Sequence, residues 1–303
     1  MNEGMNLTLF LIDLRLIPYT IFNTSLKAFP QVSDMMLGVS SIDLEKGHIL
    51  LDNEGFIQKL ILSYNIVSKG KLTFSVRLAD LLVAVPTILV VGHAYGMAKA
   101  IRYMVGLTLA LITQRAFISV MINVIGTEQS SLADALTLSR GANGAVLAGL
   151  VSSGIRERKG IFGWIGWLMP LLGVTDWLDG ALARRAGSTL LGGVLDIEAD
   201  SWLTLWSATG AVVWGEVPGW CILPPILHYL EPLQALTQGK LPQGGGPWWC
   251  RVTGISQMGL FFIALTPLDF QKRRQILTAV ALPVSSAQCS AILVLLIRKL
   301  REN

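Results

Sequence analysis

Between Leu81 and Ile297 the chain returns repeatedly to apolar runs that hold no Asp, Glu, Lys or Arg. Leu81–Ala98 is one, and Tyr103–Thr127 is interrupted only by Arg115. Gly141–Ile155, Gly160–Thr175, Ser201–Gly215, Val217–Leu230, Val252–Leu268 and Gln275–Ile297 follow, each without formal charge. Crossing a hydrocarbon core takes about 20 helical residues at a rise of about 1.5 Å each. Gln275–Ile297 reaches that length alone, and the others reach it by absorbing polar flanks. Composition agrees: 52% of the 303 residues are hydrophobic and 15% are charged, where a soluble domain carries roughly 25% charged residues. The mean hydropathy is +0.56. These values exclude a disordered chain and a nucleic-acid-binding domain. They point to an all-α, polytopic membrane helix bundle with a bilayer as its partner.

The runs divide the chain into three parts. Residues 1–77 are mixed in character. Asn6–Phe29 is apolar but broken by Asp13, Arg15, Pro18 and Lys27, and it reads as a surface-lying amphipathic helix rather than a signal peptide. His48–Leu62 reads as a hairpin or as a loop followed by a helix. Residues 78–130 form an additional membrane hairpin, with a tight turn expected at Lys99–Arg102. Residues 131–303 carry six further helices, which makes eight in all. All nine Trp lie between Trp164 and Trp249, and most fall near expected helix ends, as an interfacial belt requires. Cys221, Cys250 and Cys289 are widely spaced and offer no disulfide framework. His48, His93 and His228 are scattered, with no pair at ligand spacing.

The chemistry concentrates in Thr175–Trp202. Asp176, Asp179, Asp196, Glu198 and Asp200 are five of the chain's twenty acids, and they fall within twenty-five residues between two apolar runs. Acids at a membrane helix end are costly unless paired, hydrated or bound to a cation. Asp176 and Asp179 are three apart and share a helix face. Asp196 and Asp200 are four apart and do the same. Glu198 is two from each and points elsewhere, so Glu198→Gln is expected to be mild. Two helices meeting here would gather four carboxylates, and their mutual repulsion calls for cations between them. An all-carboxylate site suits Mg²⁺ or Mn²⁺ rather than zinc. Two-metal sites of this kind serve displacement at phosphorus. Gly180, Ala183 and Gly192 lack bulk and allow close approach of a ligand or a helix. Arg184 is placed to hold a phosphate.

This stretch resembles the signature of the CDP-alcohol phosphatidyltransferase family, D-x2-D-G-x2-A-R-x(7–8)-G-x3-D-x3-D. It reads here as Asp176, Asp179-Gly180, Ala183-Arg184, seven residues, Gly192, Asp196 and Asp200, and every signature position matches. The family has six core membrane helices, with the signature running from the end of the second into the third. The six-helix block places it in the same position. Thr137-Leu138-Ser139-Arg140 looks like the T-L-x-R that opens many bacterial members. Arg251-Val252 and Gln257-Met258 echo a K-V and Q-M pair of glycerol-phosphate-type members. Two departures bear on the acceptor. Asp196-Ile197-Glu198-Ala199-Asp200-Ser201 replaces the D-P-x-A-D-K of those members, and Gly219–Leu236 lacks their fourth-helix arginine.

The resemblance implies that an alcohol hydroxyl attacks the β-phosphate of a CDP-linked lipid such as CDP-diacylglycerol and that CMP leaves. Asp176, Asp179, Asp196 and Asp200 would hold two divalent ions, with Asp200 also the general base. Gly180, Ala183, Arg184 and Gly192 would bind the CDP diphosphate. Lys240 and Arg251 are the acceptor-side candidates. Glycerol-3-phosphate is the default acceptor, beside inositol, inositol phosphate and serine. The family's site faces the cytoplasm, and its members are commonly homodimers. Three other readings compete: a CDP-amino-alcohol donor acting on diacylglycerol, a membrane prenyltransferase, and a non-enzymatic cation transporter. The sixteen-residue separation of the two acidic pairs, joined by D-G-x2-A-R, argues against the prenyltransferase, whose acidic motifs lie far apart in sequence.

Overall fold

A computed structural model of the chain describes residues 74–125, 132–156, 190–232, 247–268 and 271–302. The described elements are helical throughout. They are α1 (Phe74–Tyr95), α2 (Met97–Ile125), α3 (Leu132–Ser153), α4 (Leu190–Val213), a 3₁₀ turn (Gly219–Ile222), α5 (Leu223–His228), α6 (Trp248–Leu265) and α7 (Arg273–Glu302). The expected elements at Asn6–Phe29 and His48–Leu62, the run Gly160–Thr175 and the loop after Pro232 lie outside the described residues.

The N-terminal hairpin turns earlier than its charges suggest. Lys99 and Arg102 are inside α2, and the chain reverses at Gly96, whose φ is 85°. A residue with a Cβ would be strained there, so the glycine rather than the basic cluster sets the turn. Lys99 folds back over the Tyr95 ring, 5.4 Å from its centroid, in a cation–π contact.

Two helices stop by one device. At the end of α3, Gly154 (φ 66°) donates to Val151 O while Ile155 donates to Leu150 O. At the end of α4, Gly215 (φ 71°) donates to Val212 O while Glu216 donates to Ala211 O. Both are Schellman closures, in which a left-handed glycine lets two terminal carbonyls find donors. The run Val217–Leu230 is not the single helix its lack of charge suggests. Pro218 precedes the 3₁₀ turn, and Pro224 and Pro225 open α5. Proline cannot donate to a preceding turn, so the helix restarts at each of these points.

The core is built around α3, which packs against α1, α2 and α4. Its small residues allow this. A Cβ on Gly149 would lie 2.7 Å from the Tyr103 ring and 2.9 Å from the Tyr103 carbonyl oxygen. A Cβ on Gly144 would lie 3.0 Å from Trp202 and 3.2 Å from the Leu203 Cα. Small residues at such crossings let helix backbones approach closely, the packing mode that membranes favour. Trp202 is therefore a core residue, stacked edge-on against Trp206 at 5.9 Å, and not part of an interfacial belt. Trp248, by contrast, is exposed at the start of α6.

The outer helices carry apolar side chains on their exposed faces: Leu81, Val85 and Leu89 on α1, and Ile276, Val280 and Leu293 on α7. Exposed apolar residues repeated along a helix in this way suit a membrane or partner face. Met97–Ser119 and Arg273–Arg298 are long and apolar enough to cross a membrane.

Candidate active site

Asp196 and Asp200 lie one turn apart on α4. Four helical residues rotate by about 40° beyond a full turn, so the two carboxylates share a face. Their side chains are 47% and 39% exposed. Across from them, α3 presents Arg140, whose side chain is only 2% exposed. Its guanidinium forks: Nη1 donates to Asp200 Oδ1 at 3.0 Å, and Nη2 donates to Asp196 Oδ1. A planar fork with two outward N–H groups is the side chain suited to tying two carboxylates at once. The sequence singles out Arg140 only as part of T-L-x-R. A buried cation in a charge-poor block was the available signal, because such a group needs an acidic partner.

Gly192 is half-buried on the first turn of α4, one turn before Asp196. It therefore lies on the same face as the two carboxylates. Arg251 is exposed on the first turn of α6. Asp176, Asp179, Gly180, Ala183, Arg184 and Lys240 lie outside the described residues. Among the described residues no three metal-ligating side chains converge. Asp196 and Asp200 are thus two members of the expected set of four. As oxygen donors on one face, open to solvent and already drawing a cation, they fit a hard divalent ion.

Glu198 points away from this face, as its phase requires. It does not point into solvent, however. It is 2% exposed, and the Tyr229 hydroxyl donates to its Oε1 at 3.3 Å. The Arg115 guanidinium acts on it electrostatically from α2. Glu198 is therefore a buried, hydrogen-bonded carboxylate, which removes the ground for expecting Glu198→Gln to be mild. Arg115, the lone charge in its apolar run, is 0% exposed, and its Nε donates to Asp80 Oδ2 at 2.9 Å. That pair spans thirty-five residues, and local spacing cannot reveal it.

A second polar cluster closes the other end of α4. Arg273 Nη1 donates to Glu216 Oε2 at 3.2 Å. Its Nη2 donates to the carbonyls of Ile263 and Ala264 at 2.8 Å and of Thr266 at 3.1 Å. These carbonyls lie at the C-terminal end of α6, where intrahelical donors run out, so a cation there is favourable. Arg156 also approaches Glu216, at 3.7 Å.

Comparison with protein families matches residues 130–297, more than half of the chain, to the model of the CDP-alcohol phosphatidyltransferase family. No curated protein and no solved structure shows significant similarity to the chain.

Proposed function

As a member of the CDP-alcohol phosphatidyltransferase family, the chain is a phosphotransferase in general terms, and we propose that it moves a phosphatidyl group from CDP-diacylglycerol to a small polar alcohol. Residues 131–303 form the catalytic core in this reading, and residues 78–130 form a hairpin added to it. The observation that carries the reading is the pair Asp196 and Asp200, one turn apart on α4 and facing a buried cation.

Two Mg²⁺ or Mn²⁺ ions, held by Asp176, Asp179, Asp196 and Asp200, would supply positive charge against the diphosphate and the departing CMP. The protein's own groups orient and move protons. Asp200 accepts the proton of the acceptor hydroxyl as its oxygen bonds to the β-phosphorus, and the bond from that phosphorus to the CMP oxygen breaks. A carboxylate performs this step when geometry brings it within hydrogen-bond reach. Gly180, Ala183 and Gly192 leave room for the nucleotide, and Arg184 pairs with the diphosphate. Lys240 and Arg251 lie on the acceptor side. Glycerol-3-phosphate is the first acceptor to try, with inositol, inositol phosphate and serine beside it. The protein spans the bilayer several times, with this site on the cytoplasmic face.

CMP release by the purified protein in detergent, with CDP-diacylglycerol and Mg²⁺ or Mn²⁺, tests the reaction against each acceptor in turn. Asp200→Asn is expected to cut the rate by at least about 10³, a barrier increase of about 4 kcal/mol. More than a tenth of wild-type activity in that variant would remove Asp200 from the role of base.

A further inference from the structure

The family match begins at residue 130, so it leaves α1 and α2 without a role. Their buried polar groups nevertheless lead to the site. Asp80 on α1 pairs with Arg115 on α2, both almost fully buried. Two residues along α2, Phe117 meets the Tyr229 ring edge-on, with centroids 5.7 Å apart. The Tyr229 hydroxyl donates to Glu198, and Arg115 acts on the same carboxylate. Glu198 sits between Asp196 and Asp200 in sequence and opposite them on α4. The front of α4 is held by Arg140, and its back is held from the hairpin and Tyr229.

We propose that the α1–α2 hairpin is a positioning device for the active site: Phe117, on the stretch of α2 that Arg115 anchors to Asp80, seats Tyr229, whose hydroxyl holds Glu198 and so fixes the rotation at which α4 presents Asp196 and Asp200. The inference rests on the reading of those aspartates as metal ligands. Groups that orient metal-ligating side chains from behind typically contribute 10- to 100-fold to metal affinity. Arg115 is well suited to such an anchoring task, because its Nε and Nη2 both donate to Asp80, a two-point grip that a lysine could not make.

The test uses the full-length protein in detergent. Mn²⁺ binding is read from the paramagnetic signal of free Mn²⁺, thermal unfolding checks that each variant is folded, and CMP release is measured in parallel. Glu198→Gln, nearly isosteric, and Arg115→Gln are each expected to weaken Mn²⁺ binding by about 10- to 100-fold. The double variant should bind no more weakly than the worse single, because both act through the position of the Glu198 side chain. Arg115→Lys keeps the charge and should weaken binding less than Arg115→Gln. If Arg115→Gln does not fold, Glu198→Gln and Arg115→Lys carry the test. Wild-type Mn²⁺ affinity in folded variants with a lowered Tm would overturn the inference, as would single effects that multiply in the double variant. Wild-type protein that binds no Mn²⁺ would overturn the metal-site reading and this inference together. Wild-type binding that the variants share would overturn this inference alone.

Discussion

Arg140 supplies a counter-charge that the proposed divalent ions would supply instead. Two carboxylates one turn apart repel each other, and the guanidinium between them supplies the only cationic contact that Asp196 makes among the described residues. The carboxylates are half-exposed, so water screens much of this interaction, and its loss should cost about 1 kcal/mol rather than the larger cost of a fully buried pair. Arg140→Gln is therefore expected to lower the Tm of protein stripped of metal by about 2–4 °C. Saturating Mn²⁺ should close most of that gap, because bound metal supplies the missing counter-charge. Thermal unfolding of wild type and variant, with chelator and with Mn²⁺, makes the comparison. A gap of the same size under both conditions would make Arg140 a packing residue with no electrostatic part in the site.

At the scale of elements, the fold depends on how closely α2 and α4 approach α3. The approach of α2 is set at Gly149, where the added Cβ would meet the Tyr103 carbonyl oxygen as well as its ring. A ring can rotate away from a methyl group, but a helix carbonyl cannot move without its backbone. Gly149→Ala should therefore destabilise the protein by about 1–3 kcal/mol, read as a Tm several degrees lower in detergent. Gly193→Ala is the comparison, since nothing lies within 4 Å of its Cβ position; it should leave the Tm unchanged or raise it slightly. Much of this layer is legible in the sequence. The charge-free runs locate α3, α4, α6 and α7, because hydrophobic length is a local property. The phase of Asp196, Glu198 and Asp200 is legible for the same reason. The turn at Gly96 is hidden by Lys99 and Arg102, which draw attention to the wrong place. The break in Val217–Leu230 is hidden by absence of charge, although Pro218, Pro224 and Pro225 mark it. Arg140 with Asp196, and Asp80 with Arg115, are separated by fifty-six and thirty-five residues. Such pairs arise from helix packing, and no spacing rule reaches that far.

At the scale of the whole molecule, the helices run between two polar ends. Arg140, Asp196 and Asp200 lie toward one, in the first halves of α3 and α4. Glu216, Arg273 and Arg156 gather at the other, beyond the last turns of α3, α4 and α6. About 13 residues of α4 separate Asp200 from its C-terminus, which is roughly 20 Å of helix. Because Arg273 closes the last turn of α6 at the far end, α6 begins, with Arg251, toward the site end, and α7 returns there to finish at its basic tail. Charge alone orients this bundle poorly. In sequence, Arg140, Arg184, Arg185, Lys240, Arg251, Arg298, Lys299 and Arg301 fall in segments expected on the site side, and Arg156, Arg158, Lys159, Lys272, Arg273 and Arg274 in segments expected on the other, eight against six, a small excess for the positive-inside rule. Burial does not sharpen the margin, since Arg140 on one side and Arg273 on the other are both committed to internal partners. The proposed reaction supplies the orientation instead: a CDP-linked lipid made on the cytoplasmic leaflet would have to meet Asp196 and Asp200 there. In a variant lacking Cys221, Cys250 and Cys289, a cysteine placed at Arg156, which is 59% exposed, should react with a membrane-impermeant maleimide on intact cells. A cysteine at exposed Arg251 should react only after the membrane is opened. The reverse pattern would put the site on the outer face, where it could not draw on a cytoplasmic CDP-lipid. Equal labelling of both would mean that the bundle does not span the bilayer between these two ends.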